Sequence, residues 1–269
     1  VNIPERIGKD TVREIGEYAF SPYAVRLTDE QKELRRNITK IVLPETVEVI
    51  GKFAFCHCER LSSINIPKAV KKIEDSTFAE CKRLISVNMP NEVKSIGEHA
   101  FFGCEKLSEI DIPLSVKNIE KNAFCNCTGL ISADLPDEIT KISNCCFAGC
   151  EKLQSITIPS TVKKIESLAF WQCSSLEEIT IPEGVKEIDI GAFADCSKLR
   201  SVTLPKSVML IENPMQINKT PRTIFSTFIY TEQKEKLTVT VTVPADSYAE
   251  KYCKLYNIPY IIKNTEDQK

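Results

Sequence analysis

The chain has 269 residues, a formal net charge of −2 and 42% hydrophobic residues, an ordinary composition for one or two globular domains. A charge balance this close to neutral does not favour a nucleic acid or an anionic membrane as partner, since both call for clustered Lys and Arg. No apolar run approaches the ~18 residues that a membrane-spanning helix needs.

The first 37 residues are predicted to form an N-terminal cap around one degenerate repeat. The sequence "VNIP" at residues 1–4 ends a predicted strand, and Ile15 and Phe20 stand where the later repeats carry their own Ile and Phe. An insertion follows, in which Thr28 and Gln31 have the spacing of a capping box. In that motif each side chain bonds the backbone N–H of the other residue, so we expect a short helix here.

Residues 38–211 are predicted to form regular repeats with a period of 23 residues. Eight prolines mark the period: Pro44, Pro67, Pro90, Pro113, Pro136, Pro159, Pro182 and Pro205. Further columns keep the same spacing: Ile from Ile50 to Ile211, Phe from Phe55 to Phe193, Cys from Cys58 to Cys196 and Leu from Leu61 to Leu199. One such unit cannot bury its apolar side alone, so the pattern indicates a solenoid whose stacked units share one core.

Each unit contains one predicted strand and a less regular remainder. In the segment 61–67, alternation points Leu61, Ile64 and Ile66 inward and ends the strand at a proline, where the missing N–H breaks no ladder bond. The remainder lacks a sustained helical pattern, so we expect tight turns, short extended pieces and 3₁₀ turns. Strands stacked at ~4.8 Å are predicted to form one continuous parallel sheet.

The C-terminal cap is predicted to span residues 212–262. The sequence "LTVTVTVP" repeats the strand ending with Val241 and Val243 inward, "ADSYAEKYCKLYN" is typical of a helix, and "IPYIIK" of a final strand. A closing cap covers apolar end surface that would otherwise invite aggregation. We therefore expect a single solenoid over residues 1–262, with few helices confined to the caps and a polar tail at 263–269.

The full repeat, C-x-x-L-x-x-I-x-I-P-x-x-V-x-x-I-x-x-x-A-F, resembles that of the BspA-like leucine-rich repeat family, and "PADSYAEKYCKLYNIPYI" is similar to its closing segment. The resemblance covers roughly residues 38–262. It implies a right-handed, curved solenoid with the parallel sheet on the concave face. It also implies a secreted or cell-surface protein of anaerobic or host-associated microbes, often an adhesin.

One position departs from common leucine-rich repeats, which carry a ladder of Asn there. This chain has Ala69, Glu92, Ser115, Glu138, Thr161 and Gly184 instead. Without an Asn-based turn, the Cys column is expected to satisfy backbone groups elsewhere in the unit.

The twelve cysteines raise three interpretations: buried thiols, disulfides or a metal site. Seven of them form the column, which favours small buried side chains with a weak S–H donor. Neighbouring rungs lie within disulfide reach, but an odd number cannot pair evenly. The "CHC" at Cys56–Cys58 is not a zinc spacing, since such close ligands strain a tetrahedron. We expect buried thiol side chains in the column, no metal and no cofactor.

Catalytic patterns are lacking. The two histidines, His57 and His99, stand two rungs apart in different columns, with no nucleophile motif or phosphate-binding loop. Trp171 is interpreted as a packing or edge residue rather than a sugar platform. We therefore predict that the protein is not an enzyme.

Strand alternation predicts two exposed polar columns on the concave face. They comprise Ser63, Ser86, Glu109, Ser132, Ser155, Glu178 and Ser201, and Asn65, Asn88, Asp111, Asp134, Thr157, Thr180 and Thr203. Glu109, Asp111 and Asp134 form an acidic centre, for which four interpretations stay open: a solvated sheet surface, a binding surface, acid–base catalysis and a Ca²⁺ site. The columns lack aromatic anchors, which cap residues could supply: Tyr18, Tyr23, Tyr230 and Tyr260.

The resulting hypothesis is a non-enzymatic, adhesin-like binding protein outside the cell. Its expected ligand is a protein or a glycan, including host extracellular matrix, and it is expected to be monomeric, without nucleic acid or a membrane span. The chain begins with Val1, so we expect a processed piece whose leader has been removed. Two alternatives remain: a cytoplasmic interaction scaffold, and the recognition module of a larger enzyme.

Overall fold

A computed structural model describes residues 1–211, 223–225 and 239–263. Within these residues the chain winds into about nine stacked coils, each held to its neighbours by short parallel strands. Strand register follows the 23-residue period, as in the pairs Ser132–Ser155 and Ile142–Ile165. The predicted leucine-rich repeat solenoid is thereby confirmed.

Two rows of strands run along the solenoid. The first ladder lies before the proline column and comprises β4 Lys40–Ile41, β6 Ser63–Ile64, β9 Glu109–Ile110, β11 Ser132–Asp134, β13 Ser155–Thr157, β15 Glu178–Thr180, β17 Ser201–Thr203, β19 Thr240–Val243 and β20 Tyr260–Ile262. The second ladder ends at the Ile column and comprises β3 Glu14–Ile15, β5 Val49–Ile50, β7 Lys72–Ile73, β8 Ser95–Ile96, β10 Asn118–Ile119, β12 Lys141–Ile142, β14 Lys164–Ile165, β16 Glu187–Ile188 and β18 Leu210–Ile211. A hairpin of β1 Arg6–Ile7 and β2 Asp10–Thr11 lies near the N-terminus.

The prediction of one continuous sheet is wrong, because each coil carries two strands and the first ladder is interrupted. Its hydrogen bonds group β9, β11 and β13 into one sheet and β15, β17, β19 and β20 into another. The segment containing Ser86 and Asn88 is not a strand, and only Asn88 forms isolated bridges. Strands of two to four residues hold so few ladder bonds that a small shift between two coils is enough to break the pairing.

The sequence columns become ladders of like side chains in the core. Leu61, Ile64 and Ile66 are buried as predicted. The column phenylalanines stack with ring centroids 5.4–5.7 Å apart and ring planes within 18° of parallel, starting with Phe20 on Phe55. Phe225 closes the far end of the stack at 6.5 Å from Phe193.

The Cys column has the backbone role that was expected of it. Each column thiol, from Cys58 to Cys196, donates to the carbonyl oxygen of a phenylalanine in the preceding coil, with Sγ···O distances of 3.1–3.3 Å. That carbonyl also accepts a turn hydrogen bond, as where Cys104 N–H donates to Phe101. The thiol therefore adds a hydrogen bond between two coils that a Val or an Ala could not form.

Two further columns have left-handed backbone, with φ between 51° and 72°. The first comprises Phe53, Ser76, His99, Asn122, Cys145, Leu168 and Gly191, and the second His57, Glu80, Gly103, Asn126, Gly149, Gln172 and Asp195. The turns they create direct N–H groups onto carbonyls of the next coil, as from Phe55 to Thr77 at 2.9 Å. Most of these residues are not glycine, although left-handed backbone costs other residues about 1–2 kcal/mol each.

Both caps contain the predicted helices. Helix α1, Asp29–Arg36, begins at Thr28, which forms the expected capping box with Gln31. Arg35 anchors this helix by donating to the carbonyls of Tyr18 and Ser21. Helix α2, Tyr248–Leu255, is followed by β20, which pairs with β19. Val241 and Val243 are fully buried, as predicted. Leu237 and Tyr230 lie outside the described residues.

Candidate binding surface

The two predicted polar columns lie on the outer side of the first ladder and are called the polar sheet face below. Eleven of their fourteen residues are exposed, while Asn65, Ser201 and Thr203 are partly buried. The pairs Ser132–Glu109 and Thr180–Thr203 show that each column is in register from coil to coil. The expected arrangement of these side chains is therefore present, although their role in binding stays a prediction.

Asn65 differs from the other members of its column because its amide is already engaged. Its nitrogen donates to the Leu43 carbonyl and its oxygen accepts from the Leu43 N–H, both at 2.8 Å. The Asn65 amide thus forms two hydrogen bonds to the Leu43 backbone in the preceding coil, where a strand partner would otherwise bond. We assign Asn65 a structural role at this end of the sheet, which leaves the more central residues free for a ligand.

The acidic centre is exposed and carries no internal counter-charge. Glu109, Asp111 and Asp134 form no ion pair within 4.0 Å with any described residue. By contrast, all three lysines within the described strands of the second ladder, Lys72, Lys141 and Lys164, form such pairs. Beside this centre, Ile85 and Ile131 stand 55% and 41% exposed, one residue ahead of the first polar column. The surface therefore combines concentrated negative charge with flanking apolar side chains.

A cleft of about 590 Å³ lies farther along the same ladder. It is lined by Gln154, Ser175, Glu177, Glu178, Lys198, Arg200 and Ser201. The cleft coincides with the interruption between β13 and β15. On either side of it, Gln154 N–H donates to the Ile131 carbonyl and Arg200 N–H donates to the Glu177 carbonyl. The equivalent bond from Glu177 N–H to the Gln154 carbonyl is absent. The cleft places charges of both signs next to the facing edges of β13 and β15, which do not pair with each other.

The remaining chemical candidates are accounted for by packing. His57 makes an edge contact with Tyr23 at 4.6 Å, and His99 lies against Phe102 at 5.6 Å. Trp171 donates from its indole nitrogen to Asp195 at 2.8 Å, and Tyr18 stacks on Phe53. Among the described residues, no group of three or more His, Cys, Asp or Glu side chains could hold a metal ion.

The cysteine environments suppress thiol reactivity rather than promote it. Burial raises the pKa of the Cys56 thiol to about 11 and those of Cys58 and Cys125 to about 12. Burial also raises the pKa of Cys145, the one cysteine that is more than marginally exposed. Since a nucleophilic cysteine needs a lowered pKa, these positions lack the activation that thiol catalysis requires.

A basic row was missed by the sequence interpretation, which considered net charge alone. Lys71, Lys94, Lys117, Lys163 and Lys186 stand in one column immediately before the strands of the second ladder, and all five are exposed. They are called the lysine row below. Their spacing in multiples of 23 residues was the available signal, and reading charge column by column would have found it.

No helix in the described parts of the chain has the length and apolar character needed to cross a membrane. A sequence model described as a BspA-type leucine-rich repeat region matches six copies over residues 32–141 and 117–225. No curated protein matches the chain.

Three solved bacterial structures resemble the fold. A leucine-rich repeat protein from Bacteroides ovatus is 31% identical with a TM-score of 0.68; the match covers 90% of this chain and 63% of that one. A leucine-rich repeat protein from T. pallidum is 25% identical with a TM-score of 0.57, covering 74% of this chain and 77% of its own. A leucine-rich repeat protein from Eubacterium ventriosum is 22% identical with a TM-score of 0.58, and the match covers 88% of this chain and 68% of that one. At this identity the likeness supports the fold and nothing further.

Proposed function

The chain belongs to the BspA-type leucine-rich repeat family, and on that premise we propose that it is a non-enzymatic, adhesin-like protein that binds a macromolecule through the polar sheet face. The observation that carries the proposal is the unpaired acidic centre at Glu109, Asp111 and Asp134, exposed on a rigid ladder. Because the coils fix the backbone that carries these side chains, binding requires little ordering of the main chain.

The chemistry of this surface favours a protein ligand. A basic side chain would neutralise the acidic centre, and an apolar neighbour in the same segment would cover the exposed Ile85 and Ile131. A neutral glycan would leave the carboxylates without a counter-charge and would find no aromatic platform in the two columns. We therefore propose a protein partner with basic and apolar residues close together, including proteins of a host extracellular matrix.

The binding test compares three forms of the chain against a panel of extracellular-matrix proteins and glycans. The triple variant Glu109→Ser, Asp111→Ser and Asp134→Ser is expected to bind about tenfold more weakly or worse, which is at least ~1.4 kcal/mol. The control variant Glu92→Ser, Asp137→Ser and Glu151→Ser removes the same charge from exposed positions off the sheet face and should bind normally. Affinities from surface plasmon resonance give the comparison.

The possible results separate the two parts of the surface. Equal loss in both variants would mean general electrostatic attraction and would contradict a defined site. Unchanged binding by the triple variant would exclude the acidic centre. In that case Glu178→Ser and Arg200→Ser test whether the cleft between β13 and β15 holds the ligand instead. No binding to any member of the panel would favour an intracellular partner.

The proposed location is the cell surface, supported by the resemblance of the repeat to those of secreted and surface proteins. We expect brief protease treatment of intact source cells to remove the protein, as measured by quantitative mass spectrometry of the surviving cells. A cytoplasmic protein of similar size is the control and should survive. Survival of this protein alongside that control would contradict the location and favour the cytoplasmic scaffold.

A further inference from the structure

The lysine row differs from the lysines beside it because it lacks partners. In the adjacent column Lys72 pairs with Glu74 at 2.5 Å, Lys141 with Glu166 at 2.9 Å, and Lys164 with Glu187 and Asp189 at 3.1 Å. Within the lysine row only Lys117 has an ion pair, with Glu138 at 2.8 Å. The three lysines of the adjacent column are thus neutralised by ion pairs, whereas four of the five lysines of the lysine row form none with a described residue.

Backbone hydrogen bonds keep neighbouring members of the lysine row in register. Lys94 N–H donates to the Lys71 carbonyl at 2.8 Å and Lys117 N–H to the Lys94 carbonyl at 2.9 Å. The second ladder divides between β10 and β12, where no bond joins Thr140 N–H to the Lys117 carbonyl. Bonding resumes with Lys163 N–H donating to the Thr140 carbonyl at 2.7 Å and Lys186 N–H to the Lys163 carbonyl at 2.8 Å. With ~4.8 Å between parallel strands, the five coil steps from Lys71 to Lys186 span about 24 Å. Positive charges are therefore repeated at coil spacing in two hydrogen-bonded segments, one with Lys71, Lys94 and Lys117 and the other with Lys163 and Lys186.

A second basic row, Arg60, Arg83, Lys106, Lys152 and Lys198, is less suited to attract an anion. Glu59, Glu105 and Glu151 directly precede three of its members in the chain. In the lysine row the preceding residue is Val or Ile at every rung, and Glu187 is the one acidic residue that directly follows a member. No member of the second row forms an ion pair with a described residue, whereas Glu138 pairs with Lys117 in the lysine row. The choice between the two rows therefore rests on the directly adjacent carboxylates, which lower the local potential at Arg60, Lys106 and Lys152.

We propose that the lysine row binds a linear acidic polysaccharide laid along the solenoid axis, on a different side from the protein ligand proposed for the polar sheet face. A row of ammonium groups can follow the repeating sulfates or carboxylates of such a chain without recognising individual sugars. Nucleic acid fits less well. Lysine lacks the planar fork that arginine offers to phosphates and bases, and no aromatic residue stands in the lysine row or its flanking columns for bases to stack upon.

The test uses fluorescein-labelled heparin as a sulfated probe and labelled hyaluronate as a carboxylated one, with binding followed by anisotropy across a salt series. Heparin is expected to bind the unmodified chain, with affinity falling as salt rises. The variant Lys71→Gln, Lys94→Gln and Lys186→Gln should bind heparin about tenfold more weakly. It should also lower the slope of log affinity against log salt by about 2 to 3, at roughly 0.7–0.9 per lost contact.

The control variant, Arg83→Gln, Lys106→Gln and Lys152→Gln, removes the same charge from the second basic row and should keep near-normal heparin affinity. All six positions are exposed, so both variants should fold, which their circular dichroism spectra verify. Equal losses in both variants would overturn the proposal, as would failure of the unmodified chain to bind either probe at about 0.1 M salt. Single-stranded DNA that binds the row as tightly as heparin would overturn the choice of a polysaccharide.

Discussion

Replacing Phe124 by alanine is expected to lower the free energy of unfolding by about 3–5 kcal/mol. The ring is fully buried and stacks between Phe101 and Phe147, with centroids 5.4 and 5.5 Å away. Its removal leaves a cavity in the middle of the aromatic column. Because each coil is stabilised by its neighbours, the effect should reach the coils on both sides of the cavity. Denaturant unfolding measures the loss, and hydrogen exchange shows how far it spreads.

The control for this substitution is Phe102→Ala. Phe102 is the same residue type in the same coil as Phe101, but it is partly exposed and stands outside the aromatic column. Its replacement should cost much less than that of Phe124. A loss below about 1 kcal/mol for Phe124→Ala would contradict the energetic importance of the stack, since typical Phe→Ala changes in a core cost several times more.

Alkaline unfolding is the second large effect that we expect, and the cysteines cause it. Burial holds the pKa values of the column thiols Cys81, Cys104, Cys150 and Cys173 well above the ordinary value, and that of Cys58 at about 12. In the unfolded chain these thiols ionise near pH 8.5. The folded state therefore keeps protons that the unfolded state loses. Stability is fully present below the unfolded pKa and declines as pH rises above it.

The expected size of this decline follows from the number of thiols. Each contributes up to about 1.4 kcal/mol per pH unit, so the five named above and Cys127, whose pKa burial also raises, contribute about 8 kcal/mol per unit. A domain of ordinary stability, about 5–15 kcal/mol, should then unfold between about pH 9 and pH 10. Guanidinium titrations at several pH values, under reducing conditions, give the unfolding free energy directly.

A cysteine variant tests the cause. With Cys127→Ala and Cys150→Ala the protein should be less stable at pH 7, because two buried side chains are shortened and two inter-coil hydrogen bonds are lost. Its decline with pH should nevertheless be flatter by about 3 kcal/mol per unit. An unfolding free energy that stays level from pH 8 to pH 10 in the unmodified chain would show that the thiols do not control alkaline stability.

The columns that face the core were predictable because burial restricts residue type at every rung. Phe and Cys recur because the same buried position is repeated in every coil. The sequence alone therefore predicted the aromatic stack and the role of the thiols. The capping box at Thr28 and Gln31 was visible for a similar reason, since two side chains at fixed spacing satisfy helix-end N–H groups.

Features that depend on backbone geometry were less visible. The second ladder consists mainly of two-residue strands, too short for alternation to distinguish from a turn. No residue type marks the interruption between β13 and β15. The sequence could not show that the Asn65 side chain hydrogen-bonds to the Leu43 backbone instead of facing solvent, because most of its column faces outward.

The left-handed columns bear on how such a chain can change over generations. Their members include aromatic, acidic, amide, thiol and aliphatic residues, so the turn itself requires no particular side-chain chemistry there. Yet no Val, Ile, Thr or Pro occurs in either column, because β-branched side chains clash in this conformation and the proline ring cannot adopt it. A point mutation to one of these four residues should be purged wherever it arises, while most other changes drift. Duplication of a whole repeat copies both positions intact, so the solenoid can lengthen by recombination more safely than its turns can vary by substitution.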